Sequence, residues 1–160
     1  MGKSFNRHWP NIPSTTIKSE LDMFYGNTIE DTRQMFYTSW QKYQEKEQLL
    51  PLEEQIVAVI LEHPEYHKVL ANDSTAAVSP DVMESNPFLH MGLHLAIRDQ
   101  ITTDRPLGIK ALFQEKLIHY GNQHDVEHLL MEQLAECLWQ AQRSHAMPDE
   151  QAFLNACRKL

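Results

Sequence analysis

Nine histidines stand in this 160-residue chain, and six of them fall into three pairs four residues apart: His63 with His67, His90 with His94, and His124 with His128. Random scatter would give roughly half a pair at this helical-neighbour spacing, so the pattern calls for a cause. Four residues is just over one helical turn, which sets the two rings of a pair on one face, one above the other. Imidazole nitrogen is a good ligand for iron, zinc, copper and nickel, and pairs of this kind on adjoining helices can converge on one or two ions inside a bundle. Glu132 stands one turn after His128 and extends the ladder, so it is the carboxylate expected first to complete the sphere.

The same residues admit a plainer use. A histidine on an apolar helical face is usually a core residue whose ring nitrogens bond carboxylates or carbonyls. Six of them in one small core need many internal partners, or resist protonation at a cost in stability, and that tips the balance toward metal. The layout resembles hemerythrin-like bundles in spacing, where HxxxH and HxxxE pairs on several helices hold two irons that bind oxygen or nitric oxide, and this resemblance implies iron first, with zinc possible. A ferritin-like centre would use Glu-x-x-His, which only Asp125-x-x-His128 approximates. The run His124-Asp125-Val126-Glu127-His128 also fits HxxEH, in which two histidines hold zinc and Glu127 would activate water as general base. That short pattern arises easily in a chain rich in His and Glu. Arg98 and Asp99 are placed to steady an imidazole, although a surface ion pair or a cap contact is the commoner use of such residues. No GxSxG elbow or phosphate-cradling glycine loop occurs, and neither Cys137 nor Cys157 lies in a nucleophile motif, so catalytic residues stay unassigned.

Helices must position these side chains. Residues 1–25, with Trp9-Pro10, Pro13 and a Ser-Thr-Thr run, show no helical periodicity and are expected to form an irregular arm. Thr28 suits the cap of a first helix with the stripe Ile29, Thr32, Phe36, Trp40 and Tyr43, ending near Gln48. Pro51 opens a second, with Ile56, Val59, Ile60 and Leu70 on the face shared by His63 and His67, and Pro64 kinks or briefly interrupts it. Ala71 to Ser85 forms a loop; Asn86 then caps a helix from Pro87 to about Ile101 that sets His90 and His94 with Leu93 and Ile97. A short helix opens at Pro106 or Leu107 and stops at Gly121, a long one runs from about Gln123 to Arg143, and Pro148-Asp149-Glu150 starts a last short one. On the long helix His124 and His128 share a face with Met131, Ala135 and Leu138, so all three pairs point inward.

The fold class is therefore all-α, a helical bundle of four longer helices and two short ones, with residues 26–160 as one domain behind the arm. Few glycines and no internal period agree with a bundle rather than a repeat array. The net charge of -8, without a basic stripe, argues against nucleic acid as a partner. No basic segment precedes an apolar run at the N-terminus, and the apolar run Ile56 to Leu61 is too short to span a bilayer, so a cytoplasmic chain without membrane insertion is expected. The two cysteines lack CxxC spacing and read as reduced thiols. An acidic surface or the arm leaves room for a protein partner or a homo-oligomer, and a metal-free interaction module is the alternative to a metal protein.

Trp40-x-Lys42-Tyr43, Leu50-Pro51-Leu52-Glu53, His63-Pro-Glu-Tyr-His67, Asn86-Pro-Phe-Leu-His-Met-Gly-Leu-His-Leu-Ala-Ile-Arg-Asp-Gln100 and the stretch His124 to Arg143 together resemble a bacterial family known only as a domain of unknown function. The resemblance runs from about Phe24 to the C-terminus. It implies a small, stand-alone cytosolic protein and supplies no activity, substrate or catalytic residue.

Overall fold

The computed structural model describes residues 29–71 and 86–160. The arm, the Thr28 cap and most of the loop expected between Ala71 and Ser85 lie outside these residues. Seven α-helices and no strand occur among the described residues: α1 (Ile29–Gln44), α2 (Pro51–Leu61), α3 (His67–Ala71), α4 (Pro87–Thr103), α5 (Ile109–Tyr120), α6 (Gln123–Arg143) and α7 (Glu150–Arg158), with a 3-10 turn over Pro64–Tyr66 before α3. No described helix is long and apolar enough to cross a membrane.

Local chemistry sets the boundaries. Asn86 accepts hydrogen bonds from the N–H groups of Phe88 and Leu89 at 3.1 and 3.2 Å, and Pro87 fills the first helical position, where its missing N–H costs nothing. Asn122 caps α6 through the N–H groups of His124 and Asp125, and Asp149 caps α7 through Ala152. Gly121, at φ 74°, ends α5 in the left-handed conformation glycine adopts without a Cβ clash. Three boundaries differ from expectation. The first helix stops at Gln44 rather than Gln48, because the chain turns left-handed at Lys46 (φ 58°). The short helix opens at Ile109 rather than at Pro106 or Leu107, because Gly108 (φ 102°) makes a turn first, its N–H bonded to the Asp104 carboxylate. The second helix ends at Leu61: Pro64, with no N–H and a ring that crowds the preceding turn, breaks it into α2, the 3-10 turn and α3.

Two apolar clusters meet on α4. Phe88, Met91 and Leu95 pack with Phe36 and Trp40 of α1, with Ile56, Val59 and Ile60 of α2, and with Leu70 of α3. Leu89, Leu93 and Ile97 pack with α5, α6 and α7 through Ile109, Phe113, Val126, Leu130 and Phe153. At about 100° per residue, the stripe His90, His94 and Arg98 runs between these two apolar stripes. Helices α2 and α6 both pack on α4, so the polar stripe lies at their joint seam. Tyr43, assigned to the apolar stripe of α1, is instead 41% exposed, with its ring stacked on Trp40.

Candidate metal centre

Five histidines converge at the seam. His63 arrives from the break after α2, His90 and His94 from α4, and His124 and His128 from the first turns of α6. The ring centroid of His63 lies 4.7 Å from that of His94 and 4.9 Å from those of His90 and His124. His94 and His128 are 4.8 Å apart, and His124 and His128 4.2 Å. His63, His94, His124 and His128 each offer a nitrogen, and these four atoms all lie within 4.8 Å of one another. Two nitrogens bound to one ion are separated by at most about 4.2 Å, twice the usual metal–nitrogen distance. Closing the group on an ion therefore needs shifts of about half an ångström, within reach of side-chain rotation.

Hydrogen bonds fix how these rings present themselves. Nδ1 of His63 lies 2.8 Å from the Val59 carbonyl, which can only accept, so the proton sits on Nδ1 and the Nε2 lone pair faces the cluster. Nδ1 of His94 lies 2.7 Å from Oε2 of Glu127, which places its proton in the same way. His124 directs Nδ1 toward Oε2 of Glu62 at a longer 3.4 Å. Metal-bound histidines almost always give their second ring N–H to a carbonyl or carboxylate, as these three do. The remaining two rings donate inward: His90 Nε2–H to Nε2 of His63 at 3.1 Å, and His128 Nε2–H to Nε2 of His94 at 3.0 Å.

An ionic layer lies behind the imidazoles. Glu127 is fully buried and accepts from His94, from Gln123 at 2.9 Å, and from Arg98 through Nε at 3.0 Å and Nη2 at 3.0 Å. Arg98 also reaches Glu62 at 2.6 Å, tying the ends of α2, α4 and α6 together. Burial by itself would raise the Glu127 pKa, but the hydrogen bonds from His94, Arg98 and Gln123 win and hold the carboxyl down at about 2. Burial acts the other way on the imidazoles, whose charged form it disfavours. His90 is pushed down to about 2 and His128 to about 3 by desolvation, with their neighbouring histidines adding to it. His63 is lowered chiefly by burial, and His94 is lowered by burial against the opposing pull of Glu127. The result is a set of neutral, lone-pair-bearing donors at neutral pH, the form that binds metal.

The other residues singled out from the sequence take different places. His67 donates from Nε2 to the Ile60 carbonyl at 2.9 Å and packs its ring on Trp40 at 4.6 Å, away from the four-residue group. The Pro64 break means that His63 and His67 do not share one helical face. Glu132 is half-buried one turn past His128 and is likewise outside that group. Glu127, placed as a general base by the HxxEH pattern, has both carboxylate oxygens engaged by His94, Arg98 and Gln123. Arg98 is no surface pair but the hub of the ionic layer. Glu62 and Tyr66 were not anticipated at all. Tyr66 lies parallel to His63 (7° between planes, centroids 5.5 Å apart) and edge-on to His90 at 5.8 Å. Both flank His63, the one member of the group outside a helix, so no helical period could have pointed to them.

A family model described as a domain of unknown function (DUF1841) matches residues 28–159. The chain belongs to this family. No curated protein and no solved structure matches it. The matched DUF1841 segment contains all five clustered histidines together with Glu62, Arg98 and Glu127, and the family description assigns them no activity.

Proposed function

We propose that this protein binds one transition-metal ion through His63, His94, His124 and His128, with iron the foremost candidate and zinc the next, in the service of oxygen, nitric oxide or redox chemistry. One observation carries the reading: four imidazole nitrogens lie within 4.8 Å of one another, and three of those rings direct their other nitrogen at an outward acceptor. An all-imidazole set suits iron, copper, nickel and zinc rather than magnesium or calcium, which prefer oxygen. The nearby carboxylates, Glu127 and Glu62, are engaged with Arg98 as outer partners rather than aimed between two ions, which favours one ion over a carboxylate-bridged pair. The zinc-hydrolase alternative loses force on the same ground, since Glu127 would have to break its contacts with Arg98 and His94 to accept a proton from water.

Elemental analysis of protein purified without a histidine tag tests the proposal. Near-stoichiometric iron or zinc is expected in the parent and loss of it in a His94→Ala, His124→Ala variant; a parent without metal after anaerobic reconstitution with Fe(II) and with Zn(II) would sink it. The second reading is a metal-free interaction protein. It is favoured by the completeness of the hydrogen bonds, since His63, His90, His94 and His128 each have a partner with no ion present. On that reading chelator leaves the melting temperature unchanged, whereas a metal protein loses thermal stability in chelator and regains it with one ion.

A further inference from the structure

We propose that His90 is a displaceable fifth donor that guards an exchangeable coordination position, the place where a small ligand of two or three atoms, such as nitric oxide or azide, reaches the metal. The inference rests on the metal-binding reading above and adds to it which imidazole yields.

The five rings divide by the direction of their hydrogen bonds. His63, His94 and His124 point Nδ1 outward at Val59, Glu127 and Glu62, which leaves Nε2 as the inward donor atom. His63 and His94 are also the two most deeply buried, at 1% and 0% exposure. They are locked in tautomer and place. His90 and His128 do the reverse, each spending an inward Nε2–H on the lone pair of an anchored ring. In the metal-free cluster these two N–H groups satisfy the inward lone pairs of His63 and His94.

The two inward donors are not equivalent. His128 contributes a nitrogen to the four-atom group and, with its proton moved to Nδ1, ligates after the same small shift that the group as a whole needs. His90 falls outside that group, although its Nε2 is only 3.1 Å from the Nε2 of His63. Its ring stands at a steep angle to its neighbours, 63° to His94, 74° to His63 and 85° to His128. It is half-buried and sits at the start of α4, flanked edge-on by Tyr66. Four histidines hold the ion and the fifth ring borders it from the side. A small ligand competes with His90 for the fifth position, while His63, His94 and His124 keep the outward hydrogen bonds that hold them.

A competitor that occupies a position nine-tenths of the time weakens an outside ligand about tenfold, because apparent affinity scales with the fraction of open site. The test uses cobalt(II), whose visible bands report coordination number, and azide as the small ligand. The full chain, its His90→Ala variant and a His94→Ala control are titrated with cobalt(II) and then with azide. His90→Ala is expected to keep one equivalent of cobalt, to shift its visible bands, and to bind azide about tenfold more tightly than the parent. Loss of cobalt as complete as in the His94→Ala control would overturn the proposal by making His90 an obligatory ligand. Unchanged azide affinity would overturn it by making His90 a bystander. Should the alanine variant fail to fold, His90→Gln, which keeps an N–H toward His63 but is a poor ligand, is read by the same two criteria. A parent that takes up no cobalt, iron or zinc fails the underlying metal reading instead, and that result appears before any variant is compared.

Discussion

The chemistry of the site turns on a few protons. Because a carbonyl oxygen and a carboxylate can only accept, the partners of His63 and His94 dictate which ring nitrogen keeps its lone pair, and both lone pairs face the cluster. Glu127 is thereby a positioning residue whose charge is balanced by Arg98. Glu127→Gln keeps the shape and can still accept from His94, but leaves Arg98 with only Glu62 as an acidic partner. Breaking a buried pair from one side costs roughly 3–5 kcal/mol. Arg98 retains 18% side-chain exposure, so a loss of about 3 kcal/mol in urea unfolding is expected, at the low end of that range. A loss below about 1 kcal/mol would mean that the pair behaves like a solvated surface pair.

Among the helices, α4 carries the most consequence, since it offers apolar stripes to two clusters and the His90, His94 and Arg98 stripe to the seam between them. Its start is held by the Asn86 side chain, buried and bonded to two backbone N–H groups. Asn86→Ala removes that acceptor and is expected to destabilise the protein by about 1 kcal/mol, or up to 2 because the cap is buried. Equilibrium urea midpoints of parent and variant check this. No change in midpoint would show that the first turn of α4 is held by packing alone. This start was legible in the sequence because Asn-Pro before an apolar run has one strong local meaning. The fate of Pro64 was less legible: a kink and a full break share the same proline, and the neighbours that α2 and α3 pack against decide between them.

For the molecule as a whole, the neutral imidazoles make stability depend on pH. His90 at about 2 and His128 at about 3 stay unprotonated in the folded chain at pH values where an unfolded histidine, near 6.5, is charged. His63 and His94 shift in the same direction. The unfolded state therefore binds more protons over this window, so stability rises with pH across it and falls as pH drops below about 6.5. Glu127 adds to the same trend lower down, since its depressed pKa contributes stability that is lost as pH falls from its ordinary value toward 2. Metal-free protein is expected to show a urea midpoint that is level between pH 7 and 8 and clearly lower at pH 5. A midpoint equal at pH 5 and 7.5 would show that the cluster accepts protons as readily as free histidine does.

The sequence by itself determined the all-helical class, the cap of α4, the start of α7, and the recurrence of histidine at one-turn spacing, because helical period, capping and proline restriction act over a few residues. It also carried His94, His124 and His128 to the candidate centre, since a helical face shared with apolar residues must turn inward. Only the tertiary structure decided the partners. His63 joins the group through a helix break rather than a shared face, His67 is drawn off to Trp40, and Glu132 stays outside the four-residue group while Glu127 faces inward. Arg98 and Glu62, thirty-six positions apart in the chain, meet at 2.6 Å because α2 and α4 pack side by side. Contacts between residues so far apart depend on how whole helices pack, and no local period encodes that.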